Sequence, residues 1–170
     1  MVNKDLRIVS YIDNFLEKNT LKILQNDFTQ LEFKPVTNDD GLYGHRYNFT
    51  EEEFKPYSFI LNEVKKYFFP SIDLYPFEVC VHIRHNQHKP MVHQDPSNFN
   101  FLLFLKGEPL LNNGTGFYNE DGQLSSHIGF IENRAVFFNG GNILHSDLQS
   151  FGKSSSRYTL TAFFKESKND

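Results

Sequence analysis

His93-Gln94-Asp95, followed by a distant His145 and then Arg157, is the set of residues in this sequence with the clearest chemical use. Side chains alternate along a β-strand, so His93 and Asp95 project to the same side. An imidazole and a carboxylate presented together, joined by a second imidazole from a facing strand, make a three-point ligand set for one divalent ion. Two His and one carboxylate occupy one face of the ion and leave the other open, an arrangement suited to non-haem Fe(II). Enclosing such groups in an apolar barrel without a partner is costly. Breaking a buried charged pair costs roughly 3–5 kcal/mol, whereas an ion neutralises the carboxylate and uses both imidazole lone pairs.

Arg157 adds a cation. In Ser156-Arg157-Tyr158-Thr159-Leu160-Thr161, alternation places Arg157, Thr159 and Thr161 on one face. The guanidinium is a planar fork that matches a carboxylate with two hydrogen bonds, and Thr159 offers a hydroxyl beside it. His82 and Arg84 also share a strand face, which makes Arg84 a candidate second anion contact.

The elements that must hold these groups are mostly strands. Phe77 to His85, Phe99 to Leu105, Gly116 to Tyr118, Ser126 to Ile131, Ala135 to Phe138, Ile143 to Leu148 and Tyr158 to Phe164 read as β-type runs. Asn112-Asn113-Gly114, Asp121-Gly122, Glu132-Asn133 and Asn139-Gly140-Gly141 supply turns between them. Short strands at such spacing suggest a sandwich or barrel. Upstream, Leu6 to Ile12 and Leu31 to Val36 read as strands, and Asn38 to Tyr47 as a loop at the barrel mouth. Asp13 is a candidate cap for a helix reaching about Gln25. Thr50-Glu51-Glu52-Glu53 fits a capping box ahead of a helix from Tyr57 to Phe68. The whole, residues 1–170, reads as one domain: a helical support over about 1–70 and a barrel over about 77–165.

Composition agrees. A hydrophobic content of 39%, with 19 Phe, 8 Tyr and no Trp, suits packed sheets. A net charge of −4, with both signs mixed along the chain, argues against a dedicated nucleic-acid binder. Cys80 is the only cysteine, which rules out an intramolecular disulfide and a cysteine zinc cluster and points to a cytoplasmic setting. No apolar run is long enough to span a membrane, and the first residues lack the pattern of a secretory signal.

In this order the motifs resemble those of the Fe(II)- and 2-oxoglutarate-dependent dioxygenases, on the prolyl-hydroxylase-like side. The resemblance covers about Phe77 to Phe164. It rests on His93-Gln94-Asp95, the apolar strand Phe101 to Leu105, the small-residue strand Gly114 to Tyr118, Asn133 to Phe138 ahead of His145, and the closing strand Arg157 to Phe164. It implies a double-stranded β-helix, a mainly β, cupin-like jelly roll with N-terminal helices packed on the larger sheet. It further implies Fe(II) on His93, Asp95 and His145, with 2-oxoglutarate as co-substrate and its far carboxylate on Arg157. Molecular oxygen and a small-molecule or peptide substrate complete the expected set, with hydroxylation of a C–H bond and release of succinate and CO2. The charges fit: +2 from the ion, −1 from Asp95, −2 from the diacid and +1 from Arg157. Two departures stand out. Arg157 lies twelve positions past His145, where relatives have nine or ten, and Gly152 to Ser155 is the turn that would absorb the excess. Relatives also carry a Tyr near Phe104 as a second co-substrate contact, and Tyr118 or a group near Arg84 would have to replace it.

Other readings of the same residues compete. A metal-binding cupin-like barrel without oxygenase activity, an isomerase or a sugar-binding module, would keep the trio and leave Arg157 structural. A non-catalytic interaction domain would keep the barrel alone. Asp147, two after His145, is an alternative carboxylate ligand. His82, His85, His88 and His93 form a second histidine-rich stretch that could build a zinc or nickel site, with His85 and His88 read instead as solvent-facing or entrance residues. His45 and His127 lack partners at metal spacing and read as surface.

Overall fold

Ten strands, three α-helices and two 3-10 turns account for the regular structure of the described residues of this computed structural model, which are 8–39, 41–70, 73–85, 88–148 and 156–167. The strands are β1 (Val9–Ile12), β2 (Lys34–Asn38), β3 (Gly41–Asn48), β4 (Leu74–Arg84), β5 (Phe99–Lys106), β6 (Thr115–Tyr118), β7 (Leu124–Ile128), β8 (Ala135–Phe138), β9 (Leu144–Asp147) and β10 (Arg157–Glu166). All pair antiparallel. Seven form one sheet in the order β1-β8-β5-β10-β4-β3-β2, and three form a smaller one, β7-β6-β9. The result is a jelly roll with its helices on the larger sheet.

Alternation explains the layering. Along β5, Phe99, Phe101, Leu103 and Leu105 face the helices, and along β10, Leu160, Ala162 and Phe164 do the same. They pack with Leu21, Leu24 and Phe28 of α1 (Lys18–Thr29), Phe54 of α2 (Glu51–Phe54), and Ile60 and Val64 of α3 (Phe59–Phe68). The intervening residues point between the sheets. There Phe104, Val136 and Phe138 join Phe117, Ile128, Phe130 and Ile143 in a second apolar cluster at one end. Towards the other end the inward residues turn polar: His82 and Arg84 on β4, Asn100 on β5, and Arg157, Thr159 and Thr161 on β10. One strand thus carries core on odd positions and chemistry on even ones, or the reverse.

Three local expectations are corrected. Asp13 does not cap α1, which starts at Lys18 behind Glu17 and has no side-chain cap. The chain between bends, with Asn14 at φ +54°, and is held by the Phe15 amide on the Asn133 carbonyl at 3.0 Å and the Leu16 amide on Asn133 Oδ1 at 2.9 Å. Asp13 instead pairs with Arg134 through two bonds of 2.6 and 2.9 Å. Residues 41–47 are not a loop. They belong to β3, which pairs with β2 and β4 and lines a polar cavity through Tyr43 and Arg46. Gly44 is required there, since a Cβ would lie 1.9 Å from Arg84 Nη1. Finally, His88 is buried, at 4% exposure, rather than solvent-facing. The capping box at Thr50 is present as read: the Glu53 amide donates to Thr50 Oγ1 and the Glu53 carboxylate accepts the Thr50 amide. The turn Gly152 to Ser155 lies outside the described residues.

Candidate metal and co-substrate site

The segment after β4 returns across the sheet and meets β9 at a single bridge. His93 and His145 exchange both backbone hydrogen bonds, at 3.0 and 2.9 Å, which puts their rings 4.5 Å apart. Each Nδ1 lies against a carbonyl oxygen: His93 on Met91 at 2.8 Å, His145 on Ile143 at 2.9 Å. A carbonyl only accepts, so each Nδ1 carries a proton, and Nε2 is the nitrogen of each ring left to donate to Asp95 or, once its proton is displaced, to ligate an ion. Both Nε2 atoms turn to Asp95, at 3.5 Å from Oδ1 for His93 and 3.0 Å from Oδ2 for His145. The three ligating atoms lie within 4.8 Å of one another. Three donors that close together could share one divalent ion.

Asp95 is positioned from behind. Its amide donates to the Gly140 carbonyl at 3.1 Å, and Asn100 Nδ2 donates to Oδ2. Asn100 is in turn held by the Ser97 hydroxyl. Burial raises the Asp95 carboxyl, but hydrogen bonds from His145 and His93 outweigh this and hold it well below the usual carboxylate range. Burial likewise lowers His93, and its bonds to Asp95 and the Met91 carbonyl bring it above the ordinary imidazole value. A Cβ on Gly140 would sit 2.5 Å from the Asn100 amide. Gly140→Ala is therefore expected to displace Asn100 and loosen Asp95. Fe(II) affinity should fall by about 10–100-fold while the circular dichroism spectrum is kept, the usual cost of losing an outer-shell partner; unchanged affinity in a metal titration would show that Asn100 does not orient the ligand.

Beyond the trio lies a cavity of about 280 Å³, lined among others by His82, Arg84, Asn100, Thr115, Arg157 and Thr159. Arg157 and Arg84 stand directly opposite each other on β10 and β4. Like charges in register repel. Asp147, reaching across from β9, resolves this: Arg84 Nε donates to Oδ2 at 2.6 Å and Arg157 Nη2 to Oδ1. Arg157 Nη1 donates to the carbonyls of Asn113 and Gly114, at 2.9 and 2.8 Å, which fixes the guanidinium plane. Burial and the nearby Arg84 lower Arg157 to about 9, so it remains charged at neutral pH. Tyr43, from β3, lies 4.0 Å under the Arg84 guanidinium and edge-on to His93. Four buried polar atoms of this cavity have no hydrogen-bond partner: Thr115 Oγ1, Thr159 Oγ1, His82 Nδ1 and Arg84 Nη1. Unmet donors and acceptors at these positions suit a polar ligand.

Of the residues singled out in the sequence, His93, Asp95, His145, Arg84, Arg157 and Thr159 converge on this one cavity. Tyr118 does not line it. On β6 it is Phe117 that faces His145, so alternation turns Tyr118 to the outer face of the small sheet. Phe104 stacks on Phe130 in the apolar end. The tyrosine of the cavity is Tyr43, unnoticed in sequence because its strand reads as a loop. Asp147 bridges two arginines and stands apart from the His93, Asp95 and His145 group.

No family model and no curated protein sequence matches this chain. Solved structures do. A prolyl-4-hydroxylase from Pseudomonas putida aligns at 14% identity over 94% of this chain and 92% of its own, with a TM-score of 0.64. HygX from Streptomyces hygroscopicus, determined with nickel and 2-oxoglutarate bound, aligns at 10% identity over 96% and 85%, with a TM-score of 0.74. The viral collagen prolyl hydroxylase of Paramecium Bursaria Chlorella virus-1, in its 2-oxoglutarate complex, gives 15% identity over 94% and 96%, with a TM-score of 0.65. The chain thus has the jelly-roll fold found in 2-oxoglutarate–Fe(II) oxygenases, including two prolyl hydroxylases.

Proposed function

We propose that this protein is an Fe(II)- and 2-oxoglutarate-dependent oxygenase that hydroxylates a C–H bond and releases succinate and CO2. The observation that carries the reading is the pair of His Nε2 atoms turned onto Asp95 in the same cavity as two buried arginines. Fe(II) with 2-oxoglutarate and oxygen supplies the oxidation when bound. His93, Asp95 and His145 would hold the ion. Arg157 and Arg84 make the far end of the cavity cationic, and Thr159 offers its unpaired hydroxyl there. Because Asp147 cancels one arginine, the charge balance is that of a single cation facing the far carboxylate of a diacid.

Leu102, Phe138 and Phe163 supply apolar walls to an otherwise polar chamber. Val36, Tyr43 and Met91 are further wall residues, and a small molecule or a peptide side chain is the substrate class they suit. The single cysteine, fully buried, supports a reducing cytoplasmic setting. No helix among the described residues is long and apolar enough to cross a membrane. The test is an anaerobic titration of 2-oxoglutarate into the Fe(II)-loaded chain. A visible charge-transfer band and, on admitting air, succinate are expected; neither appearing would leave a metal-binding barrel without this chemistry.

A further inference from the structure

A second group of three histidines lies outside the cavity. His45 belongs to β3, His85 follows the last residue of β4, and His88 sits in the next turn. Their ring centroids are 6.0 Å (His45–His85), 5.3 Å (His45–His88) and 4.9 Å (His85–His88) apart. One nitrogen from each lies within 4.8 Å of the other two, and none of the three rings lines the cavity. In sequence His45 is forty residues from its partners. The antiparallel pairing of β3 with β4, which sets His45 against Ile83, brings them together.

Two nitrogens of this group are buried without a partner: His45 Nδ1 and His88 Nε2. His88 is 4% exposed, so its unmet nitrogen is well shielded from solvent. Leaving a buried polar atom unpaired costs about 1–3 kcal/mol. The outer nitrogens are already fixed: His85 Nδ1 meets the Ser156 hydroxyl at 2.8 Å, and the His85 amide donates to His88 Nδ1 at 2.9 Å. The Ser156 hydroxyl can accept from His85 Nδ1 and so orient that ring, whereas the amide contact makes His88 Nδ1 an acceptor and puts the proton of the metal-free ring on Nε2.

We infer that His45, His85 and His88 form a second metal site, for a borderline divalent ion such as Zn²⁺, Ni²⁺ or Cu²⁺. The donor set is three imidazoles with no carboxylate, which suits these ions and not Mg²⁺ or Ca²⁺. Water would complete the coordination. His88 binds through Nε2, and this costs either the proton there or the His85 amide contact. Arg84 lies nearby, with its charge largely taken up by Asp147. Both features would keep the affinity below that of a closed cysteine–histidine site. The ion would tie β3 to the segment that leads to His93 and Asp95, adding to the Lys89 amide on the Leu42 carbonyl at 3.2 Å and the Tyr43 ring edge-on to His93.

The experiment uses the untagged full chain carrying His93→Ala and Asp95→Ala, so that the first site is disabled. Dialysis against Zn²⁺ alone, followed by elemental analysis, is expected to leave one zinc per chain and to raise the melting temperature by a few degrees. Adding His45→Gln, or separately His88→Gln, should abolish both effects. His45 lies on a half-buried strand position, so its variant keeps the test open if His88→Gln misfolds. No zinc on the starting chain, or equal zinc with His45→Gln in place, would overturn the site. The charge-transfer titration of the unmodified chain reports separately on the first reading.

Discussion

Asp95→Ala is expected to bring Fe(II)-dependent succinate formation to background. The substitution removes the one anionic ligand and leaves two neutral imidazoles, while Asn100 Nδ2 loses its acceptor. Removing one member of a buried charged set costs roughly 3–5 kcal/mol, which converts to a loss of about 10² to 10³-fold or more in Fe(II) affinity. Helix and sheet content should survive, because Asp95 lies outside both apolar clusters. The measurement is succinate release at saturating 2-oxoglutarate, paired with iron content after gel filtration. Turnover retained at a normal iron content would remove Asp95 from the ligand set and leave Asp147 to be tested in its place.

The second large effect concerns Arg157. Arg157→Gln should weaken 2-oxoglutarate binding by about 30-fold or more while Fe(II) binding changes little, since truncating one partner of a buried charge pair costs about 2–5 kcal/mol. Gln is chosen over Ala because its amide can still donate to the carbonyls of Asn113 and Gly114, which Ala would leave unmet. Arg84 keeps its bond to Asp147 in this variant, so the bridge between β4 and β9 persists. Equal 2-oxoglutarate affinity, read from the charge-transfer titration, would move the anchor to Arg84, whose Nη1 is buried without a partner.

Much of this centre is legible in the sequence, because the physics that places it is local. Period-two alternation is enough to group Arg157 with Thr159, His82 with Arg84, and His93 with Asp95. The apolar run Phe99 to Leu105 announces a strand covered on both sides for the same reason. What is not legible depends on pairings between distant segments. Asp147 becomes a bridge only because β9 faces the β4–β10 pair. Asn100 supports Asp95 only because Gly140 leaves room for its amide. Tyr43 and His45 hide in a stretch whose glycines and polar residues read as a loop. The propensities there were outweighed by burial against β4, a tertiary effect that no single-sequence pattern encodes.

The strict sorting of alternate side chains along β10 also limits how its length can change. Insertion or deletion of one residue between Arg157 and Phe164 would exchange the two faces, sending guanidinium and hydroxyl groups into the phenylalanine layer beneath the helices and leucine into the chamber. Chemistry and foldability would fail in a single event. Length variation in descendants of this sequence should therefore collect in the connections between strands, where a change in loop size leaves the phase of the sheet intact.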